Sequence, residues 1–224
     1  MNILVTAGPT HEPWDSIRYL ANRSTGRLGY AIAEAARKRG HRVVLVSGPT
    51  ALPDPKGVRT VRVETAREML AACVAAIGPC EAVIMAAAVA DWRPAVRVAG
   101  KLKKGNATPA LRLAKNPDIL GILGRMSPGR VLVGFALEAL PKTAALASAR
   151  AKLLRKRADL IVLNHPESLG QREAVGVTLI TAREAVPLGV IDKRRLAERL
   201  VRFAETRSLA GTSRGAGRKP RAGA

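Results

Sequence analysis

Residues 18–29 read R-Y-L-A-N-R-S-T-G-R-L-G, from Arg18 to Gly29, and they join a first strand to a first helix. Upstream, Asn2 to Thr6 is an apolar run followed by the turn-rich Ala7, Gly8 and Pro9, the pattern of a buried strand entering a loop. Downstream, Leu28, Ile32, Ala35 and Ala36 recur at helical spacing, Arg37, Lys38 and Arg39 crowd the carboxyl end, and Gly40 ends the helix. The loop therefore delivers Ser24, Thr25 and Gly26 to a helix N-terminus. Unpaired N–H groups and the helix dipole favour an anion there, and Gly26 and Gly29 permit close backbone approach. Phosphate is the obvious candidate. The alternative is structural: Ser24 or Thr25 caps the helix and the glycines pack it on the sheet. Asn22, Arg18 and Arg23 favour a site, because a cap needs no cluster of amide and guanidinium donors.

Working outward, Arg42 to Ser47 is a second apolar run, so the first fifty residues form a right-handed βαβ crossover with the anion loop at the carboxyl end of its first strand. Thr60 to Val63 is a short strand. Thr65 caps a helix with Glu68 three residues on, and Ala82 to Ala86 is a fully buried strand. From Ala95 to Leu113 small apolar residues alternate with Arg97, Lys101, Lys103 and Lys104 around a Gly105-Asn106 turn, which reads as a basic flap. Asn116 is the expected N-cap of a short helix, with Pro117 its first residue and Asp118 on its dipole. A strand at Val131 to Phe135, a helix at Lys142 to Arg157 and a strand at Leu160 to Leu163 complete a parallel sheet. Val175 to Thr181 and Ala185 to Ile191 form an antiparallel hairpin, and Asp192 caps a last amphipathic helix. The expected architecture is a Rossmann-like, doubly wound α/β domain over residues 1–206, followed by a basic disordered tail over residues 207–224.

The chain has 224 residues with 47% hydrophobic content, enough for one domain with a sizeable core. Lys and Arg number 38 against 17 Asp and Glu, a net charge of +21 that calls for anionic partners. Two cysteines, Cys73 and Cys80, fit a reducing compartment without a disulfide framework, and three scattered histidines argue against a histidine metal site. A strand beginning at Asn2 leaves no room for a signal peptide, and the longest apolar run, Ala82 to Ala90, is too short to span a bilayer. These features predict a cytoplasmic protein.

In an open parallel sheet, ligands bind beyond the carboxyl ends of the strands. Residues 8–27, 86–93 and 135–138 fall there, with Asp91 and Glu138 as acids that bind a nucleotide-borne metal, accept from ribose or cap a turn. Lys101, Lys103, Lys104, Lys152 and Lys156 are cations within reach, although such lysines ordinarily form a solvated face. An NAD(P)-dependent oxidoreductase is the first rival reading. It lacks G-x-G-x-x-G after the first strand, and Ser47-Gly48 stand where a ribose-binding acid belongs. A nucleic-acid-binding module is the second, without a stacking platform among only six Phe, Trp and Tyr residues.

Five stretches taken together resemble one family: T-A-G-P-T-H-E-P-W-D-S-I-R-Y-L-A-N-R-S-T-G-R-L-G, A-A-A-V-A-D-W-R-P, K-L-K-K, K-N-P-D-I-L and V-G-F-A-L-E. They resemble, in order over about residues 2–204, phosphopantothenoylcysteine synthetase of coenzyme A biosynthesis, often the C-terminal half of a bifunctional protein with a flavin-dependent decarboxylase. The resemblance implies a ligase that joins 4′-phosphopantothenate to L-cysteine with CTP and Mg²⁺ through an acyl-cytidylate, releasing pyrophosphate and CMP. It implies that Asn22 holds the acyl intermediate, that Arg18 supports the same loop, and that Lys101 is the flap lysine closing over a neighbouring subunit of a homodimer. It places Met85, Ala86, Ala87, Asp91, Lys101, Pro117, Asp118, Ile119, Leu120, Phe135, Lys152 and Lys156 against the nucleotide. Thr25 stands where the family carries a second serine, Leu137 and Ala139 where it carries Ala and Thr, and His165 where it carries Asp. No flavin is expected, and the decarboxylase is expected to be a separate polypeptide.

Overall fold

The structure, a computed structural model, describes residues 1–104, 110–126, 128–164 and 173–215, the side chains of residues 211–215 excepted. In chain order the first half comprises β1 (Asn2–Ala7), β2 (His11–Pro13), β3 (Tyr19–Ala21), α1 (Arg27–Lys38), β4 (Arg42–Ser47), β5 (Arg59–Arg62), α2 (Ala66–Ala76) and β6 (Ala82–Met85). The second half comprises β7 (Trp92–Pro94), β8 (Leu113–Lys115), α3 (Ile119–Met126), β9 (Val131–Leu137), α4 (Lys142–Lys156), β10 (Leu160–Asn164), β11 (Ala174–Ile180), β12 (Ala185–Asp192) and α5 (Lys193–Gly215).

β1 lies inside the sheet because both its faces are covered: Ile3 and Val5 join one core and Leu4 the other, the period-2 alternation of a strand between two layers. One core packs α1 and α5 against the sheet through Ile32, Ala36, Leu196 and Leu200; the other packs α2, α3 and α4 through Met69, Cys73, Leu123 and Leu153. Each fully buried Leu or Ile is worth about 1.5–3 kcal/mol, so these two layers carry the fold. The sheet order is β12-β11-β10-β9-β6-β1-β4-β5. Its parallel strands, numbered along the chain, run 3-2-1-4-5-6, which puts the switch point between β1 and β6. The antiparallel β11 and β12 extend one edge. The doubly wound, mostly parallel architecture with its C-terminal hairpin is thus as the sequence predicts.

Local signals hold in detail. Thr65 and Glu68 form a reciprocal capping box on α2, and Asp192 accepts from the N–H groups of Arg194 and Arg195 at the start of α5. Gly29 lets α1 lie on β1: a Cβ there would stand 2.5 Å from the Ala7 Cβ. Cys73 and Cys80 are buried free thiols, and burial pushes the Cys73 pKa up to about 12, so it packs as a small apolar group.

Other expectations are corrected. The stretch between β1 and α1 is not one loop but contains the hairpin β2–β3, with His11 stacked on Tyr19. The flap grows from a second hairpin, β7–β8. Asn116 does not cap α3. The helix starts at Ile119, and Asp118 caps it, its Oδ1 accepting from Gly121 N at 3.1 Å. Asn116 instead donates through Nδ2 to Ala90 O at 2.8 Å. The last helix runs to Gly215, so the predicted tail enters it at Arg207; residues 216–224, like Gly105-Asn106 and His165, lie outside the described residues.

Candidate active site

Past the carboxyl ends of β1 and β6, which stay linked by a parallel bridge between Pro9 and Ala88, the segment after β6 is fastened to the end of β1 and the loop that follows it. Thr6 Oγ1 accepts from Ala87 N at 3.1 Å, Gly8 O from Ala88 N at 2.9 Å, and Thr10 Oγ1 from Ala90 N at 3.0 Å. Both threonines are fully buried. From the outer side, Asn22 Nδ2 donates to Val89 O at 2.9 Å. A primary amide has two N–H donors and an acceptor oxygen, so this bond orients Asn22 and leaves further capacity for a ligand. Two hydroxyls, the Gly8 carbonyl and the Asn22 amide thereby hold residues 87–90 of a backbone ribbon, 86–90, at the floor of a cleft of about 790 Å³.

The anion loop forms the neighbouring wall. Gly26 is the residue before α1, with φ of 75°, and no side chain caps the helix; Ser24 Oγ accepts from Gly26 N at 3.2 Å instead. Of the two readings of this loop, capping by Ser24 or Thr25 is therefore not what the chain does. The first-turn N–H groups of α1 remain available to an anion at the cleft edge, which residues 24–29 line.

The opposite wall is cationic. Lys152 and Lys156 sit one turn apart on α4. Lys152 Nζ donates to Phe135 O at 2.7 Å, and Lys156 pairs with Asp118. Burial, with the Lys156 charge, lowers the Lys152 pKa against the opposing pull of Glu138, Asp91 and Asp118. Burial pushes the Asp118 pKa up, but Lys156 and the Gly121 N–H outweigh it and the net shift is downward. Glu138 accepts from Ser148 Oγ at 2.9 Å, while Asp91 is exposed at the rim.

The cleft thus brings together Asn22, Ser24, Thr25, Gly26, Met85, Ala86, Ala87, Asp91, Pro117, Asp118, Ile119, Leu120, Phe135, Lys152 and Lys156. It does not take in Arg18 or Lys101. Arg18 turns to Asp15, donating from Nε at 3.0 Å and Nη2 at 2.5 Å, and stacks over the Trp14 ring at 4.4 Å. Lys101 is an exposed residue of the flap base. Sequence reasoning missed Thr6, Asn116 and Lys193 as site residues, and it did not single out Thr10 or Arg27 within the stretch 8–27 that it placed at the strand ends. Lys193 lines the cleft although only 6% exposed, and burial lowers its pKa against the Glu173 charge. Arg27 pairs with Glu173. A lysine opening a helix carries no periodic signal of burial, whereas T-x-x-x-T along one strand end was a readable hint. Among the described residues no three His, Cys, Asp or Glu side chains gather as a metal cage. No helix among them is long and apolar enough to cross a membrane.

An uncapped helix N-terminus, a stitched ribbon and a lysine wall thus meet around one cleft at the switch point of a Rossmann-like sheet. The chain belongs to the family described as the DNA/pantothenate metabolism flavoprotein C-terminal domain, which matches residues 1–207. It is 42% identical over 173 residues, 76% of its length, to the coenzyme A biosynthesis bifunctional protein CoaBC of Vibrio vulnificus strain YJ016, and spans 42% of that relative's length. Its fold is similar to the crystal structure of the C-terminal domain of CoaBC, at 37% identity and a TM-score of 0.77, covering 92% of this chain and 94% of that one. A Cab2 mutant in complex with phosphopantothenate-cysteine shares the fold at 16% identity and a TM-score of 0.73, covering 96% of this chain and 88% of that one.

Proposed function

We propose that this chain is a phosphopantothenate–cysteine ligase of coenzyme A biosynthesis. The observation that carries the reading is the single cleft in which Asn22, the ribbon 86–90, the segment 117–120 and the lysines of α4 meet, together with membership of the family. CTP activates the carboxylate of 4′-phosphopantothenate as an acyl-cytidylate with loss of pyrophosphate. The cysteine amine then attacks the acyl carbon and CMP leaves.

The chemistry asks little covalent work of the protein. A carboxylate attacking an α-phosphate must approach several like charges, so the site must neutralise and align them. Lys152 and Lys156 supply that charge from α4, and the N–H groups opening α1 accept a second anionic group across the cleft. Asn22, held against Val89, donates to the acyl or phosphoryl oxygen. Mg²⁺ comes with the nucleotide, lending charge neutralisation to its phosphates. The donor set suits such a substrate-borne metal better than a resident one, with Asp91 as the carboxylate free at the rim to hold it. Lys101 serves from the flap base and Arg18, bonded to Asp15 just before β3, supports the loop that carries Asn22, in a homodimer whose surface includes the exposed Ile17, Tyr19, Trp92 and Val96.

The test is product analysis. Purified protein given 4′-phosphopantothenate, Mg·CTP and cysteine is expected to form phosphopantothenoylcysteine, read by mass spectrometry. No amide product from the complete mixture would refute the reading.

A further inference from the structure

Asp15 is buried to 2% exposure, and its two oxygens accept five hydrogen bonds. Oδ1 closes a local turn, taking Ile17 N at 2.8 Å and Arg18 N at 2.7 Å. Oδ2 does something a local turn does not require: besides the Arg18 guanidinium it takes Leu102 N, at 3.1 Å, from 87 residues away. Around that bond Arg18 Nη2 donates to Leu102 O at 3.2 Å, Ser16 N to Gly100 O at 3.1 Å, and Val98 N to Trp14 O at 2.8 Å. The backbone on both sides of Lys101 is therefore bonded to residues 14–18, which lead through β3 into Asn22. A carboxylate is costly to bury unless fully bonded, and a surface Asx turn needs no burial at all. What burial adds here is a fixed distance between two chain segments.

We infer that Asp15 is a positioning residue that holds the backbone at Lys101 in a set place relative to Arg18 and β3, the strand that leads into Asn22. It touches no substrate; it acts through Lys101. The contribution to turnover rests on the ligase reading, whereas the anchoring of residues 98–102 does not, and the two are tested apart.

The first arm uses no substrate. In the unmodified protein the Leu102 amide is expected to exchange at least about 10-fold more slowly than the Lys103 amide. In Asp15→Asn, under conditions where circular dichroism shows the fold intact, trypsin is expected to cut after Lys101 and Lys103 about 5-fold faster or more. Equal exchange at Leu102 and Lys103 would overturn the inference, and that measurement decides even where Asp15→Asn does not fold. The second arm compares Asp15→Asn, Lys101→Gln and the double variant in amide formation. A residue acting through Lys101 lowers kcat with KM for CTP kept within about 2-fold, and the double variant is no slower than Lys101→Gln alone. Losses that multiply would mean that Asp15 is only structural. If the unmodified protein makes no amide, the ligase reading fails and the first arm alone judges the anchoring.

Discussion

Replacing Thr10 by Val removes one oxygen from the middle of the stitched ribbon and keeps the side chain's shape. Thr10 is fully buried, and its hydroxyl accepts the Ala90 N–H at 3.0 Å in surroundings where Ala90 is itself 6% exposed. Water cannot replace the lost acceptor without displacing packed atoms, so the N–H is left unsatisfied at a cost of about 1–3 kcal/mol. For a chain of this size each kcal/mol moves Tm by roughly 2–4 °C, so Tm should fall by about 2–12 °C. The same loss loosens the ribbon between the Asn22 bond to Val89 and the Asn116 bond to Ala90. Part of the ordering cost then shifts to ligand binding, where 1 kcal/mol is about a 5-fold rise in Kd for CTP. Calorimetric unfolding and titration with Mg·CTP read the two effects. Thr10→Ser restores the hydroxyl at the cost of one methyl, about 0.8 kcal/mol, and should recover most of the affinity. A Thr10→Val protein with the melting temperature and CTP affinity of the parent would refute the reasoning.

Lys152→Met should raise Tm at pH 7, because a lowered lysine pKa means that folding disfavours its charged form. That gain should shrink as pH rises towards about 10.4, where the unfolded lysine also loses its proton, and urea unfolding across this range checks the sign. The same variant should bind CTP about 10- to 100-fold more weakly by losing a charged donor, so a more stable protein with unchanged affinity would remove Lys152 from the site. Asn22→Ala should still bind CTP within about 3-fold by calorimetry while turnover falls about 100-fold, as for loss of one donor to developing charge. Gly29→Ala puts a Cβ 2.5 Å from the Ala7 Cβ and should destabilise by about 1–3 kcal/mol in urea unfolding, unlike Gly78→Ala, where nothing lies within 4 Å. Trp92→Ser should shift the proposed homodimer towards monomer in light scattering, Trp92 being an exposed 46% on the apolar hairpin surface.

The sheet was legible because its parallel strands are covered on both faces and read as unbroken apolar runs, as at Ile3–Val5 and Ala82–Met85. The hairpins β2–β3 and β7–β8 were not. Their strands are three residues long, two of them end in proline, and none has room to show a period. N-P-D at 116–118 offered two capping residues flanking a proline, and only the packing of α3 decides that Asp118 is the one used. Regular structure past Arg207 was not legible because a helix already nucleated and packed by Leu196 and Leu200 propagates into a Ser-, Gly- and Thr-containing segment that by composition reads as loop. In the candidate site, the glycines and the amide could be read from residue type and place, whereas Lys152 and Lys156 taken alone read as a solvated face and were set against a nucleotide only by the resemblance. Asp15 was not legible, since its partner Leu102 lies far along the chain and a bond of that span leaves no local pattern; for Thr6 and Thr10 the T-x-x-x-T spacing was the one local hint, and it does not name Ala87 and Ala90 as partners.

The most direct test of the account is pyrophosphate release by the purified protein with Mg²⁺, 4′-phosphopantothenate and either CTP or ATP, before cysteine is added. The account predicts release that requires phosphopantothenate and is faster with CTP, leaving the acyl-cytidylate in the cleft until cysteine arrives. No phosphopantothenate-dependent release with either nucleotide would contradict it.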